Sequence, residues 1–152
     1  MEPLTIKRVL ASVLFPCFVL ITLFFTDRDS NAGTGAPCDI GSGPCFQQAD
    51  EDVTIEFNIL PKPVTARSEL IFVITVTKNN ERLSDAVVLL DLSMPGMFMG
   101  RNRPVLKQTN KGRYEGKGVI TRCASGSKTW QAKVTVEKSG KTSVADFIFE
   151  VH

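Results

Sequence analysis

The chain has 152 residues, 43% of them hydrophobic and 22% charged, with a formal net charge of +2. Those values exclude a polytopic membrane protein, a disordered or collagenous chain and a two-domain enzyme, and they leave room for one ordinary domain. The average hides two unlike parts: residues 9–25 carry no charge and 14 of the 17 are apolar, whereas from Thr26 onward about 38% of residues are apolar and the charges are interspersed.

Residues 1–8 form a short start in which Lys7 and Arg8 precede the apolar run. As a helix, seventeen residues measure roughly 25 Å, and flanks such as Ile6 and Thr26 bring the run close to the ~30 Å of a hydrocarbon core. Two readings compete. An uncleaved transmembrane anchor over residues 9–26 is preferred, because the run is longer than a usual signal core and Asp27, Arg28 and Asp29 precede any small residue. A cleaved signal sequence is the rival, since Ser30, Asn31, Ala32 and Gly33 then follow. The basic residues on the short side set the amino terminus in the cytoplasm. The expectation is a single-pass protein of the inner or cytoplasmic membrane whose carboxy-terminal domain is extracytoplasmic, or periplasmic. Pro16 is tolerable in such a helix, and Cys17 reads as an inert apolar residue within it.

Residues 27–52 have the composition of a flexible tether, with Gly33, Gly35, Pro37, Gly41, Gly43 and Pro44 and no apolar periodicity. Asp39, Asp50, Glu51 and Asp52 read there as a solvated linker end. A dedicated calcium loop spreads its oxygen ligands over about a dozen residues.

From Val53 to His152 the pattern has period two. Val53, Ile55, Phe57 and Ile59 alternate, Leu70–Val76 and Ala86–Leu92 read as buried strands, and Trp130–Val136 and Ala145–Val151 alternate again. Turn signals separate them at Pro61 and Pro63, Asn79-Asn80, Pro95-Gly96, Lys111-Gly112, Ser125-Gly126 and Ser139-Gly140. No stretch beyond residue 26 has the spacing of a ten-residue helix. The expected class is all-β, an immunoglobulin-like antiparallel β-sandwich of about seven strands behind one amino-terminal transmembrane helix; a short barrel is the alternative.

Outside a membrane the thiols meet an oxidising compartment. Cys38 and Cys45 make the simplest pair, closing an eight-residue loop worth at most about 2.5 kcal/mol. Cys123 is then left over, as a metal ligand, a redox partner or a packed thiol. A pairing of Cys123 with the tether is the other arrangement.

Three of the four methionines fall in the six residues Met94-Pro95-Gly96-Met97-Phe98-Met99. Thioethers beside a thiolate are soft donors that select reduced copper, so Met94, Met97, Met99 and Cys123 form a candidate metal set. Methionine also fills irregular gaps, which is the competing structural role.

The order Leu92-Ser93-Met94-Pro95-Gly96-Met97, then Gly112-Arg113-Tyr114-Glu115-Gly116, then Thr129-Trp130-Gln131 resembles the FixH/YtkA-like proteins. The resemblance covers about Val53 to Val151 and the amino-terminal apolar run. It implies a single-pass anchor, a β-sandwich on the outer side, and a role beside haem-copper oxidase assembly and copper supply. It transfers no established ligand set, and Cys38, Cys45 and the Arg122-Cys123-Ala124-Ser125-Gly126 loop depart from its simplest pattern.

Between Arg101 and Lys128 stand eight Lys or Arg residues against one acid, Glu115. Such a face can meet anionic lipid or an acidic partner, or can be the ordinary outer side of half-buried strands. No nucleic-acid module is present. The single histidine is His152, a terminal residue of the kind that normally frays, and the Gly116-Lys117-Gly118 stretch lacks a phosphate loop's spacing. The expectation is therefore no enzyme, no small-molecule substrate and no cofactor other than reduced copper. Two functions follow: a membrane-anchored accessory domain linked to copper supply, or a non-metal interaction module of the cell envelope using the MPGM loop and the basic face.

Overall fold

The computed structural model describes residues 37–98 and 100–152. They contain nine strands and no helix: β1 Cys45–Asp50, β2 Val53–Leu60, β3 Glu69–Lys78, β4 Glu81–Arg82, β5 Val87–Ser93, β6 Lys107–Asn110, β7 Arg113–Val119, β8 Thr129–Lys138 and β9 Lys141–Glu150. All pairings between strands are antiparallel. One sheet runs β1-β2-β3-β7-β6 with β4 added to β3, and the other runs β5-β8-β9. The expected sandwich of two antiparallel sheets is therefore present. The expected transmembrane helix over 9–26 lies outside the described residues.

Period two explains most of this. In β2 the residues Val53, Ile55, Phe57 and Ile59 are all buried, and in β8 so are Trp130, Ala132, Val134 and Val136. β9 contributes Ala145, Phe147 and Phe149 to the same interior. The sheets meet where the Phe57 ring lies 5.3 Å from that of Phe147 and 5.8 Å from that of Phe149, tilted in both cases. Tilted aromatic pairs at such separations satisfy the ring quadrupoles and bury a large area. β3, flanked by β2 and β7, buries Val73 and Thr75 as well as its inward residues, as a central strand does.

The hairpins follow from local chemistry. Asn79 and Asn80 both take positive φ between β3 and β4, and Ser139 and Gly140 do so between β8 and β9. Left-handed pairs of this kind match the twist of the strands they join. Tyr114 on β7 is buried and ties in the segment ahead of β5: its hydroxyl donates to the Leu83 carbonyl at 3.2 Å and accepts from the Ala86 N–H at 3.1 Å.

The stretch expected to be tether is partly folded. β1 lies within it and pairs with β2, and Asp50 accepts a hydrogen bond from Ser143 of β9. Ile40 is 1% exposed in the core, and Cys38 is disulfide-bonded to Cys45 with their Cα atoms 6.0 Å apart. A polar edge strand (CFQQAD) and one isolated isoleucine carry no periodic signal, so composition alone made them look like linker. The strand count is nine against the expected seven, and it includes the edge strand β1 and the short β4 and β6.

Four connections gather at one end of the sandwich: 37–44, 61–68, the start of 94–106, and 120–128. Register fixes this, since Ser93 faces Gln131, Gln131 faces Ile148, and Ile148 bridges Pro37. The site is built at this end.

Candidate functional site

The MPGM segment folds as its residues dictate. Met94 follows β5 directly and is 3% exposed, Pro95 and Gly96 form the corner, and the Met97 N–H donates to the Met94 carbonyl at 3.1 Å. Gly96 takes φ +74°, the value a type II turn demands after proline. The loop base is closed by the Leu92 N–H donating to the Asn102 carbonyl at 2.9 Å. Held at both points, the loop leaves Met97 partly exposed and Phe98 98% exposed at its tip.

The second loop, between β7 and β8, carries Cys123, which is 7% exposed. Its thiol donates towards the Met97 thioether, Sγ to Sδ 3.3 Å, and sits 3.0 Å from the Ser125 hydroxyl. That hydroxyl, with the Ser125 and Ser127 backbone N–H groups, holds the Cys123 thiol below its ordinary range, against the opposing effect of burial. The Gly126 N–H donates to the Cys123 carbonyl and closes the turn. Two sulfurs bound to one soft ion at about 2.3 Å each lie roughly 3.3–4 Å apart for angles near 90–120°, so this pair fits the chemistry expected of it.

The expected four-residue set is thus divided. Met97 and Cys123 come together, Met94 is packed beneath the turn as a core residue, and Met99 lies outside the described residues. Among the described residues no group of three or more His, Cys, Asp or Glu could hold a metal ion, so any ion held here relies on thioether. Cys38 and Cys45 form the disulfide, which leaves Cys123 as the free thiol among the described residues.

His152 also stands at this end, without a signal of its own in the sequence that places it there. Its N–H donates to the Val64 carbonyl at 3.0 Å and its carbonyl accepts from the Ala66 N–H at 2.9 Å, so the terminal residue is tied down rather than frayed. It shares the wall of a cleft of about 280 Å³ with Cys123, Arg122, Lys128 and Trp130. Only the alternation running through Phe149 and Val151 hinted that the last strand held its end in place.

A family model described as YtkA-like matches residues 47–134. The chain belongs to the YtkA-like family. The YtkA-like match begins inside β1 and ends inside β8, so it contains both loops of the sulfur pair and excludes the Cys38–Cys45 disulfide and His152. No match was found among curated proteins or among solved structures.

Proposed function

We propose that this YtkA-like chain is a non-catalytic accessory domain, held on the outer side of a cytoplasmic membrane by its residues 9–26. In this reading its cargo is reduced copper, taken at the Met97–Cys123 pair for delivery to a membrane respiratory oxidase under assembly. The observation that carries the reading is the 3.3 Å approach of thiol to thioether across two loops. A lowered thiol pKa supports it, because the thiolate is the form that binds metal. His152 lines the same cleft as Cys123 and carries an imidazole, a further donor type for a soft or borderline ion.

The test is a competitive titration with reduced copper under a chelator of known affinity. The fragment should begin at Gly33, because the compact unit runs from Gly33 to His152 and a later start removes the disulfide loop. Binding near one equivalent is expected, with Cys123→Ser and Met97→Leu each weakening it by at least about tenfold, or ~1.4 kcal/mol. Unchanged binding in both variants overturns the metal reading.

One observation favours the second reading, contact without metal: Phe98 stands almost fully in solvent at the loop tip. With Met97 exposed beside it, Phe98 supplies the apolar surface through which such a contact would be made.

A further inference from the structure

We propose that the Met97–Phe98 tip is a lipid-contacting loop, which inserts Phe98 among the headgroups of an anionic phospholipid bilayer. The inference rests on the reading of residues 9–26 as a membrane anchor and goes beyond it by naming the surface that faces the bilayer.

Three observations meet at one end of the sandwich. The first is the tip itself, where Phe98 is 98% and Met97 38% exposed between Gly96 and Gly100, both at positive φ. The turn and the closed loop base hold the aromatic ring outward, away from the core its composition would favour. Aromatic side chains are suited to the interfacial layer of a bilayer, where an apolar body can leave water at modest depth.

Charge is the second. The two loops flanking the tip, 94–106 and 120–128, contain Arg101, Arg103, Arg122 and Lys128 and no acid. Arg103 is paired with Asp91, while Arg101, Arg122 and Lys128 are exposed and in no ion pair among the described residues. The acids at this end, Asp39, Glu69 and Glu150, lie on the 37–44 turn, at the start of β3 and at the end of β9 rather than on these loops, and Glu69 is paired with Lys117. A basic rim around a protruding aromatic is complementary to an anionic surface, where each basic residue close to the membrane strengthens attachment by about fivefold.

The third is the course of the chain. Pro37, the first described residue, bridges Ile148, which lies level with Gln131 and Ser93 one residue before Met94. The chain therefore joins the sandwich at the level where the tip begins. Only residues 27–36 lie between the apolar run and Pro37, and ten residues reach at most about 35 Å. A tether this short keeps the tip within reach of the bilayer that holds the run, which raises its effective concentration there.

The test uses the full chain reconstituted without other proteins into vesicles of phosphatidylglycerol and phosphatidylcholine. Phe98→Trp places an indole at the tip; the native Trp130 is 2% exposed and serves as an internal reference. Val144→Trp, at a 41% exposed position near the start of β9, is the comparison. Flotation with the vesicles reports the anchor, and quenching by brominated lipid reports the tip.

The expected result is a blue-shifted, lipid-quenched emission for Phe98→Trp and none for Val144→Trp. Quenching should fall when Arg101, Arg122 and Lys128 are changed to Gln or when the vesicles are made neutral. A chain that floats but leaves the Phe98→Trp indole in water overturns the lipid contact while leaving the anchor standing; a protein partner is then the better occupant. Equal quenching at both positions also overturns it. A chain that fails to float overturns the anchor, and the docking with it.

Discussion

The Cys123 sulfur lies 3.3 Å from the Met97 sulfur although the two residues are 26 positions apart on different loops. One loop leaves the three-stranded sheet at β5 and the other links the larger sheet to it through β7 and β8, so the contact exists only when both sheets are assembled.

Ser125 should tune this thiol. Its hydroxyl is the largest cause of the lowered Cys123 pKa, so the fold favours the thiolate and the thiol loses its proton at a lower pH than a free cysteine. Ser125→Ala removes that support and should move the thiolate absorbance titration of the 33–152 unit to higher pH. The same linkage makes the stabilisation from this group present at high pH and lost as pH falls through the folded-state value. A titration curve unchanged by the substitution would contradict the assignment.

Tyr114→Phe should destabilise the sandwich without altering its shape. The variant leaves the Leu83 carbonyl and the Ala86 N–H without their side-chain partner, a loss of about 1 kcal/mol or somewhat more for part-buried groups. Denaturant unfolding should show a lower midpoint with an unchanged slope.

Gly116→Ala tests close packing between β7 and the segment ahead of β6. A Cβ at this position would stand 2.6 Å from the Val105 carbonyl oxygen and 2.9 Å from the Leu106 side chain. Backbone must shift to admit it, and overpacking of this kind costs about 1–3 kcal/mol. A thermal midpoint equal to that of the parent would show that the 104–106 segment yields freely.

Replacing Cys38 and Cys45 together by Ser should lower stability by up to about 2.5 kcal/mol, the entropy of an eight-residue loop. Ile40, buried inside that loop, adds the coupling: Ile40→Ala should cost about 2–5 kcal/mol with the disulfide present. Denaturant unfolding of the two variants and their combination would show non-additive losses, since the loop and the isoleucine hold each other in place.

Sequence periodicity revealed the strands that bury one face. Val53 to Ile59, Trp130 to Val136 and Ala145 to Val151 repeat every second residue, and the repeat is what a half-buried strand imposes. β1 escaped because Gln47 and Gln48 sit where a strand usually shows apolar side chains, and Ile40 escaped because one residue has no period. Met97 and Cys123 stood out by residue type, but their meeting was not legible, since it depends on how two sheets stack. The burial of Met94 was not legible either. A methionine beside a proline-glycine corner looks available, yet the register of β5 continues through it and turns it inward.

X-ray absorption at the copper edge of the loaded 33–152 unit reads the ligands of the metal directly. The expected result is a sulfur-dominated first shell at about 2.3 Å that loses a scatterer in Met97→Leu and collapses in Cys123→Ser. A shell of nitrogen and oxygen alone, unchanged in both variants, would contradict it.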